Sequence, residues 1–229
     1  MTRLLLINPN TSAAVTQRLN DIAQLRPQLD VVALTASFGA PYISTEADCA
    51  IAAHAVLQAW RDAKRLYPSF DAVLIGCFGD PGLFALKEEA EIPVFGLAQA
   101  SFAQANRVGA YGVLTGGRAW GPMLKRLALA LPEGARLAGV ETVELTGAQL
   151  AKDPQLAFEC LRDAARLMCD RSTLQSLIVG GAGLAGFASL LQSEVDCPLI
   201  DSVEAALDAV CSLDPSTIHS AVPSKPSPP

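Results

Sequence analysis

The sequence predicts an α/β protein of two pseudo-symmetric lobes, each with a parallel sheet, and an active site in the cleft between them. Short apolar runs alternate with segments of helical length, which is typical of parallel strands whose two faces are covered by helices. A unit of strand, glycine-rich turn and apolar helix occurs twice, about 105 residues apart. Most of the apolar runs end in loops rich in Gly, Asn or Pro, where ligands of parallel sheets bind.

Length and composition agree with one large domain or two closely packed lobes. The chain has 229 residues, 51% of them hydrophobic and 17% charged, so it can bury a sizeable core. The net charge is −6 and no run of Lys or Arg occurs, which argues against nucleic acid as a partner. No apolar stretch at the start is long enough for a signal peptide or a membrane span. We therefore expect a cytoplasmic protein that binds neither membrane nor nucleic acid.

The first half of the chain supplies four strands and the helices between them. Thr11 or Ser12 can cap the first helix, which follows the loop after the first strand. The predicted strands are Leu4–Ile7, Leu29–Leu34, Ala72–Ile75 and Pro93–Gly96, and the later helices are Ala47–Leu66 and Leu83–Glu89. The second half repeats this order, with strands at Val108–Leu114, Val140–Leu145 and Leu177–Val179 and a helix over Gln155–Asp170.

Three landmarks relate the halves at nearly one offset. Asn8 matches Thr115, 107 positions later, and Cys77 matches Gly181, 104 positions later. Pro93 matches Pro198 at an offset of 105. We therefore predict two Rossmann-like lobes, the first from residues 1–98 plus 199–213 and the second from 99–198. Residues 214–229 are rich in Pro and Ser, which predicts a disordered tail.

Cys77 is the candidate catalytic residue. It follows a buried strand and precedes a glycine turn and a helix, and a helix N-terminus lowers the pKa of a thiol. The alternative is a packed core cysteine beside a structural turn. The other five cysteines (Cys49, Cys160, Cys169, Cys197 and Cys211) are interpreted as structural and reduced. With only two histidines, the sequence predicts no metal site.

Four further side chains are candidates for substrate binding, each with a structural alternative. Asn8 and Asn10 could hydrogen-bond an amide or merely cap the following helix. Thr115 could contact substrate or simply end its strand. Tyr42 could line or cover the pocket, or lie on a surface loop. Asp201 is predicted to cap the last helix rather than to bind substrate.

An ordered series of segments resembles the aspartate/glutamate/hydantoin racemase superfamily, above all its hydantoin and allantoin racemase branch. The segments are INPNTS, FGAPYIST, GCFGDPGLFALKE, IPVFGLAQAS and PLIDSVEAA, and the similarity extends to about Leu213. The resemblance implies a cofactor-independent racemase that acts on a small molecule and forms a homo-oligomer. It also implies one cysteine from each lobe, which take up and deliver the proton on opposite faces of the substrate.

The chemistry of a carbon acid fits this arrangement. A hydantoin Cα–H lies beside a ring carbonyl, so its carbanion is an enolate. The backbone amides of Phe78 and Gly79, and of Ala182 and Gly183, could stabilise the oxyanion.

The sequence departs from the family where the second cysteine belongs, because Gly181 stands there. Ala98-Gln99-Ala100-Ser101 likewise lacks a carboxylate that the family often has. The expected function is a racemase or epimerase of a 5-substituted hydantoin or an allantoin-like compound. The alternatives are a single-cysteine decarboxylase of the arylmalonate decarboxylase type and a catalytically impaired, ligand-binding relative.

Overall fold

Two four-stranded parallel sheets form the framework of the computed structural model, which describes residues 1–145, 149, 153–171 and 173–214. The first sheet has the order β2-β1-β3-β4, and its strands are β1 (Thr2–Asn8), β2 (Leu29–Thr35), β3 (Ala72–Ile75) and β4 (Val94–Gly96). The second has the order β6-β5-β7-β8, and its strands are β5 (Tyr111–Gly116), β6 (Leu137–Val143), β7 (Ser176–Gly180) and β8 (Leu199–Asp201). The equal orders confirm the predicted two-lobed α/β fold.

Eight α-helices cover these sheets within the described ranges. They are α1 (Ala13–Gln24), α2 (Glu46–Leu66), α3 (Leu83–Glu89), α4 (Leu97–Val108), α5 (Trp120–Ala130), α6 (Pro154–Arg171), α7 (Phe187–Leu191) and α8 (Ser202–Cys211). Ser12 caps α1 and Asp201 caps α8, as predicted. None of the described helices is both long and apolar enough to span a membrane.

The strand registers place Cys77 and Gly181 at equivalent points of the two lobes. Ile7 pairs with Ile75 in the first sheet, and Leu114 pairs with Val179 in the second. These pairs are related by the offsets of 107 and 104 that the sequence predicts. Cys77 and Gly181 each lie two residues after the β3 or β7 member of its pair, so glycine occupies the position where the second lobe could carry a thiol.

The boundaries differ from the prediction in three places. The first strand of the second lobe begins at Tyr111 rather than Val108, because α4, which the prediction lacks, extends to Val108. β6 ends at Val143, before the predicted Leu145. β8 pairs with β7 in the second sheet, so Leu199–Asp201 do not lie in the first sheet as the predicted division had it. The predicted disordered tail lies, from residue 215 onward, outside the described residues.

Helix packing and an ion pair join the two lobes. α8 packs on α4 and contacts β3 and β4 of the first sheet as well as β7 and β8 of the second. At the exposed edge, the Arg126 guanidinium donates to both carboxylate oxygens of Glu46, at 2.5 and 2.7 Å. These contacts join the two lobes on whose strand ends the cleft lies.

Candidate active site

A cavity of about 140 Å³ lies between the lobes, at the carboxyl ends of both sheets. The loops after β1, β2, β3, β5 and β7 and the start of α5 form its wall. The lining residues are Asn10, Ser12, Val15, Pro41, Tyr42, Ile43, Gly76, Cys77, Phe78, Thr115, Gly116, Trp120, Gly180, Gly181, Ala182, Gly183 and Leu184. None of these described residues carries a charge, so the cavity suits a neutral ligand.

Cys77 lines this cavity, but its environment differs from the predicted one. The helix that follows begins at Leu83, as predicted, but this is six residues after Cys77, so no helix N-terminus lies directly at the sulfur. Burial raises the pKa of the half-buried Cys77 thiol well above its usual range, and the charges of Cys49 and Asp80 raise it further. The predicted lowering of this pKa is therefore wrong: the resting form at neutral pH is the thiol.

Gly181 gives the opposite wall of the cavity a bare backbone. Its N–H donates to Ser202 Oγ at 3.1 Å, and its φ is +136°, a conformation that L residues rarely adopt. A β-carbon there would meet only Leu184, at 3.6 Å or more. There is thus room for a side chain, but the backbone conformation is that of a glycine.

The predicted oxyanion donors divide into two groups. Phe78, Ala182 and Gly183 line the cavity, and none of their backbone amides donates a hydrogen bond within the described part of the chain. Gly79 does not line it. Its amide is among the hydrogen-bond donors of the Asp80 carboxylate, and the Trp120 ring covers its Cα. The expected contact of Gly79 with substrate is therefore not formed.

The two asparagines also have different roles. Asn8 is fully buried, and its Nδ2 donates to Asn10 Oδ1, the Ser12 carbonyl and Thr16 Oγ1, each at 3.0 Å. Asn8 therefore orders the loop after β1 and does not reach the cavity, contrary to the expected substrate contact. Asn10 lines the cavity; its Oδ1 accepts from Asn8 and Ser12, which leaves Nδ2 as a donor toward a ligand.

Tyr42 and Thr115 both lie in the cavity wall, as expected. The Tyr42 hydroxyl donates to the Gly116 carbonyl at 3.5 Å, so the loop after β2 reaches across to the second lobe. Thr115 is buried, and its hydroxyl donates to the Gly180 carbonyl at 2.7 Å. Thr115 thus ties β5 to β7 beside Gly181 as well as facing the ligand space.

Sequence reasoning missed the apolar wall. Trp120 and Leu184 enter from the second lobe, and Val15 enters from α1. The first residue of a helix after a glycine loop is the signal that could have found Trp120. Gln99, where the resemblance leads one to expect a carboxylate, does not line the cavity: its side chain bonds Lys87 and Glu133.

Comparisons with known proteins agree with this architecture. The Asp/Glu/Hydantoin racemase family model matches residues 4–210. A hydantoin racemase of Paenarthrobacter aurescens is 34% identical over 221 residues, which cover 92% of this chain and 90% of the relative.

Two solved structures have nearly the same fold over most of the chain. Allantoin racemase from Klebsiella pneumoniae superposes with a TM-score of 0.85 at 30% identity, covering 93% of this chain and 87% of the other. Allantoin racemase from Pseudomonas fluorescens gives 0.84 at 30% identity, with coverages of 92% and 90%. The chain therefore belongs to the Asp/Glu/hydantoin racemase family and, with its racemase relatives, to the isomerases.

Proposed function

We propose that this protein is a cofactor-independent racemase or epimerase of a 5-substituted hydantoin or an allantoin-like compound, with Cys77 as its proton-transfer group. One observation carries the proposal: a thiol lies at a strand end in an interlobe cavity whose lining has no charged side chain. An uncharged lining suits a cyclic amide better than the carboxylates of aspartate or glutamate. The hydantoin and allantoin racemases among the relatives support the same substrate class.

The proposed chemistry begins with the acidic C–H beside the ring carbonyl. The thiolate form of Cys77 takes this proton, and the electron pair moves onto the carbonyl oxygen to give an enolate. The amides of Phe78, Ala182 and Gly183 are the available donors for that oxygen, and Asn10 Nδ2 is a donor for a ring carbonyl. Because the pKa of Cys77 is raised, only a small thiolate fraction is present at neutral pH, which makes proton removal slow.

Reprotonation on the opposite face requires a different donor. Gly181 offers no side chain there, so we assign this step to solvent in the cleft. Water on that face gives a proton to the enolate carbon, which forms the other enantiomer, and the hydroxide left behind takes the proton of the Cys77 thiol and so regenerates the thiolate. A proton returned by Cys77 itself restores the starting enantiomer.

Decarboxylation of a disubstituted malonate is a second candidate function, and it is favoured by the thiol of Cys77 together with the absence of a side chain at Gly181. A lone thiol that rests protonated suits one-sided proton delivery to an enediolate, which forms when a disubstituted malonate loses CO2. The uncharged lining counts against it, because a dicarboxylate would enter without a cationic partner.

A panel of substrates tests the proposal on the full chain. Enantiopure 5-substituted hydantoins, allantoin, glutamate and an aryl malonate are incubated with the wild type, Cys77→Ser and the matched control Cys160→Ser, whose thiol lies outside the cavity. We expect loss of optical rotation with hydantoins or allantoin for the wild type and the control, and none for Cys77→Ser. CO2 release from the malonate without racemisation would establish the second candidate. Ligand binding without turnover, unchanged in Cys77→Ser, would identify a binding protein.

A further inference from the structure

Asp80 is a buried carboxyl group next to Cys77 that the cavity itself does not use. It is 3% exposed and does not line the cavity. Its N–H donates to the Cys77 carbonyl at 3.1 Å, which closes the turn that carries the sulfur. Its φ is +48°, and no other non-glycine residue of the described chain has a positive φ. A non-glycine residue keeps this left-handed backbone conformation only where the surrounding contacts hold it in place.

Those contacts come from the start of α4. Asp80 Oδ1 accepts from the Ala98 amide at 2.9 Å, and Oδ2 accepts from the Gln99 amide at 2.7 Å. The carboxylate fits against the backbone only because residue 96 is glycine, since a β-carbon there would lie 2.2 Å from Asp80 Cγ. A negative charge is favourable at this end of a helix. The turn that carries Cys77 is therefore tied to the 12-residue helix α4.

The second lobe contains a similar tie, but glycine stands at its position equivalent to Cys77. Asp201 Oδ1 accepts from the Val203 and Glu204 amides at the start of α8. Its Oδ2 accepts from the Gly186 amide, at 2.6 Å, in the loop that follows β7. In this lobe the carboxylate lies at the strand end, and in the first lobe it lies on the loop, three residues from the sulfur. Such a tie can therefore form with its carboxylate away from the loop, whereas in the first lobe the carboxylate lies on the same turn as the Cys77 thiol.

The position of Asp80 brings its charge close enough to affect ionisation of the Cys77 thiol. Burial raises the pKa of Asp80 to about 7, against the hydrogen bonds from the α4 amides and Gly79 and the charge of Lys87 on α3. Burial is the main cause of the raised pKa of Cys77, and the negative forms of Cys49, on α2, and of Asp80 each disfavour a thiolate there as well. Burial and the charges of Glu46 and Asp48 raise the pKa of Cys49, and the charge of Arg126 lowers it. Above about pH 7, the ionised Asp80 therefore adds a negative charge three residues from Cys77.

We propose that Asp80 is a positioning residue that acts on the reaction through Cys77: its carboxylate holds the turn that carries the sulfur on α4, and its negative charge adds to the effect of burial in opposing ionisation of that sulfur. The reaction part of this inference rests on the proposed function. The electrostatic part does not, because it concerns the reactivity of the thiol alone.

The test is the pH dependence of Cys77 alkylation by iodoacetamide, followed by mass spectrometry of the Cys77 peptide in the full-length protein. The variants are Asp80→Asn and, as the matched control, Asp201→Asn, which removes the corresponding charge from the second lobe, where glycine stands at the position equivalent to Cys77. We expect Asp80→Asn to be alkylated roughly tenfold faster than the wild type at about pH 8, which is about one pKa unit. Asp201→Asn should keep the wild-type rate even where its melting temperature falls.

The wild type alone provides a second readout, which does not depend on either variant folding. Ionisation of Asp80 raises the pKa of Cys77, so the alkylation rate should rise less than tenfold per pH unit near about pH 7 and tenfold per unit elsewhere. A purely structural role predicts that the alkylation rate of the wild type rises by the same factor per pH unit throughout. It also predicts that both variants change the alkylation rate equally, and either result would overturn the proposal. If hydantoins are not turned over but the alkylation profiles behave as described, the proposed function fails and the electrostatic role of Asp80 stands.

Discussion

Phe78 of the first lobe occupies the space where a side chain at Gly180 of the second lobe would lie. A β-carbon on Gly180 would be 2.1 Å from Phe78 Cε1. The relationship is reciprocal, because a β-carbon on Gly79 would be 2.2 Å from Trp120 Cζ3. Each lobe thus inserts an aromatic ring against a glycine of the other: Gly180 directly precedes Gly181, and Gly79 follows Cys77 by two residues. This packing sets the separation of the two walls of the cavity.

Substitution of Gly180 tests this packing. Gly180→Ala forces the buried Phe78 ring away from the second lobe, and overpacking of this kind destabilises a protein by about 1–3 kcal/mol. Urea unfolding gives the free energy. Gly139→Ala, on β6 with nothing within 4 Å of its β-carbon, is the matched control and should stay within about 0.5 kcal/mol of the wild type. Equal stabilities of the Gly180→Ala variant and the wild type would show that the lobes are not in this contact in solution.

The stability of the protein should depend on pH through Asp80. The pKa of Asp80 is raised from 3.8 to about 7 on folding, so the folded state binds the proton more tightly than the unfolded state. Between these values the folded state holds more protons, and stability falls as the pH rises. The contribution lost between about pH 5.5 and about pH 8.5 is about 2 kcal/mol.

The measurement is the unfolding free energy of the wild type and Asp80→Asn at both pH values. The difference between the two proteins isolates Asp80 from the other carboxyl groups. It should move in favour of Asp80→Asn as the pH rises. A difference that is constant, or that moves the other way, would mean that the folded protein does not raise the pKa of Asp80.

Gly181→Cys places a thiol at the position of the second lobe that is equivalent to Cys77. We expect it to increase the rate of hydantoin racemisation several-fold and to lower stability by about 1–2 kcal/mol, because φ at this residue is +136°. Gly181→Ala separates the two effects: it should lose the same stability and gain no activity. Optical rotation and thermal unfolding give both quantities. Equal activities of the two variants would show that a sulfur at this position has no access to the substrate.

Asn10→Asp tests the donor that faces the cavity. Asp retains the oxygen that accepts from Asn8 and Ser12, so the loop after β1 should keep its structure. It replaces the Nδ2 donor by an acceptor, and we expect kcat/KM for a hydantoin to fall about tenfold, or about 1.4 kcal/mol. An unchanged kcat/KM with an unchanged melting temperature would remove Asn10 from the site.

The repeat and the elements of the fold could be predicted because hydrophobic burial alone determines them. The run Ala72–Ile75 is buried on both faces, and its counterpart in β7 has the same property. The offset of 104 between Cys77 and Gly181 then follows from strand register. The start of β5 was misjudged because Val108 is apolar and belongs equally well to a helix end, where it is 58% exposed.

The candidate site could be predicted as a set of loops but not as a set of contacts. Cys77, Tyr42, Thr115 and Asn10 lie where parallel-strand topology places them. Asn8 and Gly79 differ because their orientation depends on local hydrogen bonds and on Trp120, which no sequence periodicity reveals. The predicted direction of the Cys77 pKa shift is wrong because the sequence places the following helix at Leu83–Glu89 but does not show how deeply the sulfur is buried.

Deuterium exchange at the substrate carbon is the most direct test of the claim that Cys77 moves the proton. An enantiopure 5-substituted hydantoin in D2O is followed by NMR for loss of the C5–H signal, with the wild type, Cys77→Ser and Cys160→Ser. We predict that the wild type and Cys160→Ser exchange the proton at equal rates and that Cys77→Ser exchanges it at least about 100-fold more slowly. Exchange by Cys77→Ser at the wild-type rate would contradict the account.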